Sequence, residues 1–88
     1  MTMHHRITTK LTAGLSPATL EVLDESHQHA GHGGWREGGE THFRVKIAAA
    51  AFNGLSRVAQ HRLVNGLLAA ELQEGVHALA LETRAVSA

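Results

Sequence analysis

Residues 41 to 47, THFRVKI, constrain the fold more than any other stretch of this chain. They alternate strictly. In an extended strand Thr41, Phe43, Val45 and Ile47 fall on one side and His42, Arg44 and Lys46 on the other, so one face packs and the other meets water. Such a strand needs a cover, and the residues that follow supply one. After the turn FNGLS, Ser56 is placed to cap a helix, and RVAQHRLVNGLLAAELQEG carries Val58, Val64, Leu67, Leu68 and Leu72 as a helical stripe that stops at Gly75. Gly66 inside that stripe costs about 1 kcal/mol relative to alanine, so it either permits a close neighbour or is tolerated drift. VHALALETR then reads as another strand. A strand reached through a crossover helix of this length is predicted to run parallel to a strand of the same sheet.

Upstream, RITTKLTAGL sets Ile7, Leu11 and Leu15 at four-residue spacing, the stripe of a short helix that ends near Gly14 or just before Ser16-Pro17. TLEVLDESH reads as a strand. A competing reading makes Ser16 the cap and Pro17 the first residue of a second helix. Residues 30 to 40 hold five glycines and no periodic pattern, so they connect two strands. That connection is longer than a hairpin needs, as connections with a function or with no fixed structure are. The predicted order is αββαβ: one α+β domain over residues 1 to 88 with a three-stranded mixed sheet and helices on one face. Residues 1–5 and 85–88 are expected to be ends without fixed structure.

Composition narrows the chemistry. A chain of 88 residues builds one core and buries only roughly 60 to 65% of its unfolded surface, which disfavours a deep substrate cavity. There is no cysteine, so this chain alone makes no disulfide, thiolate nucleophile or thiolate metal site. Eight Lys/Arg balance eight Asp/Glu, and charge alone does not announce nucleic acid. MTMHHRITTK lacks the apolar run of a secretory signal, and IAAAAF is too short to span a bilayer, so a soluble, cytoplasmic protein with no membrane partner is expected. Ser26 beside His27 and the Asp24-Glu25 pair do not make a catalytic set, because adjacent strand residues point to opposite faces and no third orienting group is apparent. The chain does not read as an enzyme.

The stretches GETHFRVKI, FNGLSRVAQHRLVNGLLAAEL and GVHALAL, in this order and spacing, resemble the BolA family over nearly the whole chain, with QHRLVN followed by VHAL as the specific part. The resemblance implies a KH-like class II sandwich, in agreement with the order above. It also implies a monothiol glutaredoxin as partner in iron–sulfur cluster handling, and for some members a role as DNA-binding transcriptional regulator. A [2Fe–2S] cluster wants four ligands, and histidine can replace thiolate on one iron. A chain that offers imidazole only must share the site, with thiolates from the glutaredoxin and glutathione and no cofactor when isolated. The resemblance assigns His77, in VHAL, as the metal ligand, and puts the second ligand in the connection between the first two strands, where His29 aligns best and His32 and His27 are alternates.

On spacing alone each histidine has a plainer reading. A lone histidine entering a strand is most often hydrogen-bonded structure, and His27, His29 and His32 match no helical metal motif. A free-standing zinc or nickel site there would be weak. His42 on the wet face and His61 in QHRLVN are read as fold or interface residues, and His4 and His5 as terminal and incidental. Trp35 is either exposed by accident or a partner anchor. The nucleic-acid alternative rests on Arg44, Lys46, Arg57 and Arg62, with Arg36. The RNA-gripping GXXG loop of a KH domain is absent, since FNGLSRVAQ holds a single glycine, and zero net charge weakens nonspecific binding. A homodimer of the cluster-free chain stays open.

Overall fold

The computed structural model describes residues 2–25 and 41–86. Helix α1 (Met3–Leu15) leads into strand β1 (Thr19–Asp24); strand β2 (His42–Ala49) ends in a 3-10 turn (Ala50–Phe52); helices α2 (Arg57–Leu67) and α3 (Ala69–Glu74) precede strand β3 (Ala78–Ala85). The sheet order is β1-β2-β3, with β1 antiparallel and β3 parallel to the central β2. The crossover reading therefore holds. So does the first helix: Ile7, Leu11 and Leu15 are its buried residues.

Local chemistry sets the boundaries. Thr2 caps α1 by accepting a hydrogen bond from the His5 N–H, so residues 3–5 form its first turn, and Ala85 closes β3. Ser16, the proposed start of a second helix, instead ends α1: it adopts a left-handed conformation (φ 43°) and its N–H donates to Thr12 O. Ser56 caps α2 as expected, its hydroxyl accepting from the Ala59 N–H at 3.2 Å. The turn before it passes through Gly54 at φ +80°, a conformation that costs glycine little.

Phe43, Val45, Ile47 and Ala49 of β2, Val22 of β1, Phe52 of the 3-10 turn and Val76 join Ile7, Leu11, Leu15, Val64 and Leu68 in a core between sheet and helices. The helical stripe needs two corrections. The stretch from Ser56 to Gly75 is two helices, broken at Leu68 (φ −102°, ψ 15°), and Val58 is 58% exposed. The inward position of the first turn belongs to Gln60, a buried amide that no apolar pattern marks. Its Nε2 donates to Leu55 O at 3.0 Å, and its Oε1 accepts from Thr83 Oγ1 at 2.6 Å, which ties α2 to β3 and repays the burial of a polar group.

The close approach offered for Gly66 occurs elsewhere. A Cβ on Gly14 would stand 2.9 Å from Leu67 Cδ1, whereas one on Gly66 would meet nothing within 4 Å. Gly66 is exposed within α2. Gly66→Ala is therefore expected to stabilise the fold by about 0.5–1 kcal/mol through the entropy of the unfolded chain. Thermal unfolding checks this; a lowered midpoint would show that the glycine has a role in packing.

Candidate metal centre at the sheet end

Because β2 and β3 are parallel, their first residues share one end of the sheet, and His42 stands in register with Ala78. Thr41 O accepts hydrogen bonds from the N–H of His77 at 2.7 Å and of Ala78 at 3.2 Å. These bonds fix the backbone of His77 while its side chain stays exposed. The His42 and His77 rings lie with centroids 6.4 Å apart and planes inclined by 30°.

His42 departs from expectation. It lies on the predicted side of β2 but is only 7% exposed. Its Nδ1 is 2.9 Å from Oγ1 of the fully buried Thr41, a hydrogen bond whose direction follows the ring tautomer. Burial and this contact orient the ring, as an outer hydrogen bond orients a metal-binding imidazole. Residue-by-residue reading missed the pair because His42 and His77 are far apart in sequence. The signal lay in the parallel pairing itself, which aligns the starts of THFRVKI and VHALALETR.

The antiparallel β1 brings Glu25 to the same end, where its N–H donates to His42 O at 2.8 Å. The segment carrying His27, His29 and His32, with Trp35 and Arg36, lies outside the described residues. Among the described residues no group of three or more potential metal ligands occurs. What the structure assembles is a pair of imidazoles, which can fill part of a coordination sphere. His61 is half-buried on α2, and His4 is engaged, its Nε2 lying 2.9 Å from Val22 O.

The four cations offered for nucleic acid are not brought together. Arg44 and Lys46 project from the outer sheet face, while α2, with Arg57 and Arg62 exposed on it, covers the inner face through Val64. The outer face is also charge-balanced. Arg44 donates to Glu25 Oε2 and Glu82 Oε2 at 3.0 Å each, and these bonds hold its guanidinium still more firmly protonated. Lys46 sits in register between Glu21 and Glu82. A shallow groove of about 470 Å³ crosses this face over Thr19, Lys46, Glu82 and Arg84. Its alternating signs give no continuous track for phosphates.

A BolA-like protein family model matches residues 11–88. An uncharacterized protein from the cobS 5' region of a Sinorhizobium species is 50% identical over 86 residues, which are 97% of this chain and 92% of that one. The structure of BolA1 from Arabidopsis thaliana superposes with a TM-score of 0.86 at 39% identity, covering 97% of this chain and 93% of the other. The DNA-binding transcriptional regulator BolA of Escherichia coli K12 is 41% identical over 83 residues, 94% of this chain and 75% of its own. Against full-length chloroplastic BOLA1 and SufE-like protein 1 of Arabidopsis, this chain spans 52% and 22% of their lengths. No helix of the described residues is long and apolar enough to cross a membrane. With the family pattern matched along most of its length and the sheet and helices superposing on a solved member, this chain belongs to the BolA-like family.

Proposed function

We propose that this chain is a cytoplasmic adaptor that binds a monothiol glutaredoxin and shares with it a glutathione-assisted [2Fe–2S] cluster, serving cluster trafficking or iron regulation and not catalysis. The observation that carries the reading is an exposed imidazole, His77, held by its backbone at a sheet end, in a chain with no cysteine. Imidazole suits one iron of such a cluster, and the thiolates for the other must come from outside the chain. The donor set fits a shared cluster and not one owned by this protein alone. His77 would be the ligand; the cluster supplies electron storage and transferable iron and sulfide. The chain's own part is to present a nitrogen in a fixed place and to leave its other side open to the partner.

Anaerobic reconstitution with a monothiol glutaredoxin, glutathione, iron and sulfide tests the reading. Visible absorption and circular dichroism are expected to show a cluster spectrum distinct from that formed by the glutaredoxin without this chain. An identical spectrum, with the two proteins eluting separately, overturns it.

A second reading, a DNA-binding regulator, draws on the name of the Escherichia coli relative and on Arg57 and Arg62, which are exposed and lie within ion-pair distance of no carboxylate among the described residues. Two free cations on α2 release few counterions, so a gel-shift titration at near-physiological salt is expected to show weak binding with a shallow salt slope, about two charges. Sub-micromolar, sequence-selective binding lost in Arg57→Ala and Arg62→Ala would promote this reading over the adaptor.

A further inference from the structure

The sheet has two edges, and the rest of the chain treats them differently. At the β1 edge the Glu25 N–H donates to His42 O, so in the antiparallel pairing Leu23 and Glu21 also bond β2 while Val22 turns its backbone groups outward. That outward carbonyl is engaged, with His4 Nε2 of α1 at 2.9 Å from Val22 O. Pro17, which has no N–H, stands just ahead of the strand. The β3 edge has no such cover. Among the described residues its strand neighbour is β2 alone, and no group outside β2 bonds the main chain of Leu79 to Ala85. None of its eight residues is buried. Ala78 to Leu81 also lack the charges and prolines that keep an edge strand single.

We propose that the free edge of β3 pairs antiparallel with β3 of a second copy of this chain, about a two-fold axis at Thr83, joining two three-stranded sheets into one of six strands. Charge pattern selects the occupant. Glu82 and Arg84 are exposed, opposite in sign and two residues apart, so they share the outer face of the sheet. A two-fold at Thr83 keeps the helices of both copies on one face and sets Glu82 of each copy directly across from Arg84 of the other. Leu81 then meets Ala85, and Ala80 meets Val86. Opposite charges directly across an antiparallel pair attract and like charges repel. An axis at Glu82 or at Arg84 would bring two like charges face to face, and one at Ala80 or Leu81 would leave both charges opposite uncharged residues. The strand is self-complementary in one register, which is what a two-fold contact requires.

Both charges have capacity to spare. Arg84 lies within ion-pair distance of no carboxylate among the described residues. Glu82 accepts from Arg44 through Oε2 at 3.0 Å and keeps Oε1 for a second cation. Thr83 is six residues beyond His77. At roughly 3.3 Å per residue the axis stands about 20 Å along the strand from the imidazole, so the pairing does not depend on the cluster reading and leaves that sheet end open. Pairing over residues 80–86 buries less than the roughly 1,200 Å² of stable complexes, so the dimer is weak, with a dissociation constant on the order of 0.1–1 mM.

The test uses the full chain without metal or partner. Sedimentation equilibrium is expected to show a monomer–dimer equilibrium, and amide exchange in β3 is expected to slow as protein concentration rises while exchange in β1 does not change. Glu82→Arg and Arg84→Glu each place like charges at both ends of the contact, and each alone is expected to weaken association by at least about fivefold. An equimolar mixture of the two variants restores opposite charges at both positions and is expected to form a heterodimer at least as readily as the parent chain dimerises. Circular dichroism establishes that each variant is folded. A parent chain that stays monomeric at about 1 mM overturns the proposal. So does a dimer that both variants leave intact, which would place the contact elsewhere, or a mixture of folded variants that stays monomeric. Protection of β3 amides by added glutaredoxin, with none from a second copy, would assign the edge to that partner and remove the self-pairing.

Discussion

His77→Ala is expected to leave the protein folded and to abolish the mixed cluster or shorten its lifetime by well over tenfold. Two structural facts separate these effects. The stabilising contact of residue 77 is its backbone N–H, bonded to Thr41 O at 2.7 Å, which alanine keeps. Its side chain is exposed, and substitutions of exposed side chains without special contacts change stability by only about 0.5 kcal/mol. Loss of an outer hydrogen-bond partner of a metal ligand already costs about 10–100-fold in affinity, and removal of the ligand itself exceeds that. Thermal unfolding and visible circular dichroism of the reconstituted pair check the two halves separately. An unchanged cluster spectrum and lifetime in a folded variant would remove His77 as a ligand.

The second large effect lies in the contact between α1 and α3, where Glu71 is fully buried. Its carboxylate accepts from Lys10 Nζ at 2.9 Å and from Arg6 Nε at 3.1 Å, and Arg6 also grips Glu74 through both terminal nitrogens at 3.0 and 2.7 Å. Removing both cations strands a charge in the core. Arg6→Ala with Lys10→Ala is therefore expected to cost about 3–5 kcal/mol, a large part of the 5–15 kcal/mol typical of a whole domain. Glu71→Met is expected to cost much less, because an apolar side chain of similar length leaves no buried charge and both cations can turn to water. Chemical denaturation of the two variants decides this. Equal losses would mean that the network acts through packing and not through charge.

The same carboxylate predicts the acid behaviour. Burial alone pushes Glu71 up, but the hydrogen bond from Lys10, a backbone hydrogen bond and the charges of Lys10 and Arg6 outweigh it and hold it below its ordinary 4.5. Glu74 is lowered as well, by its hydrogen bonds to Arg6. A carboxyl depressed in the folded state binds fewer protons there than in the unfolded chain, so its stabilisation is complete well above pH 4.5 and is lost as pH falls below 4.5 through the folded value. Glu71→Met is expected to flatten that acid limb of the stability curve.

Much of this molecule was legible in its residues. The alternation of THFRVKI, the stripe of Ile7, Leu11 and Leu15, the Ser56 cap and the Gly75 stop are properties of a few adjacent residues, and they appear as read except that His42, on the outer face of its strand, is buried. The resemblance of three stretches to one family likewise carried the topology. The site was legible only in part. His77 followed from the VHAL stretch, whereas the proposed second ligands fall outside the described residues and the neighbour of His77 was read as a wet-face residue.

By itself the sequence determined the first helix, the strand from residue 42, the helical stretch after Ser56 and the last strand, because hydrophobic period, caps and turn residues act over one or two turns of chain, whereas the segment after Pro17 stayed open between strand and helix. Tertiary structure decided the rest. The break at Leu68, the inward Gln60, the close contact of Gly14 with Leu67 and the burial of Glu71 against a helix more than sixty residues away depend on how finished elements meet. His42 and His77 became neighbours for the same reason: the parallel register of β2 and β3 is a long-range pairing, and a shift of one residue would have turned His42 to the other face.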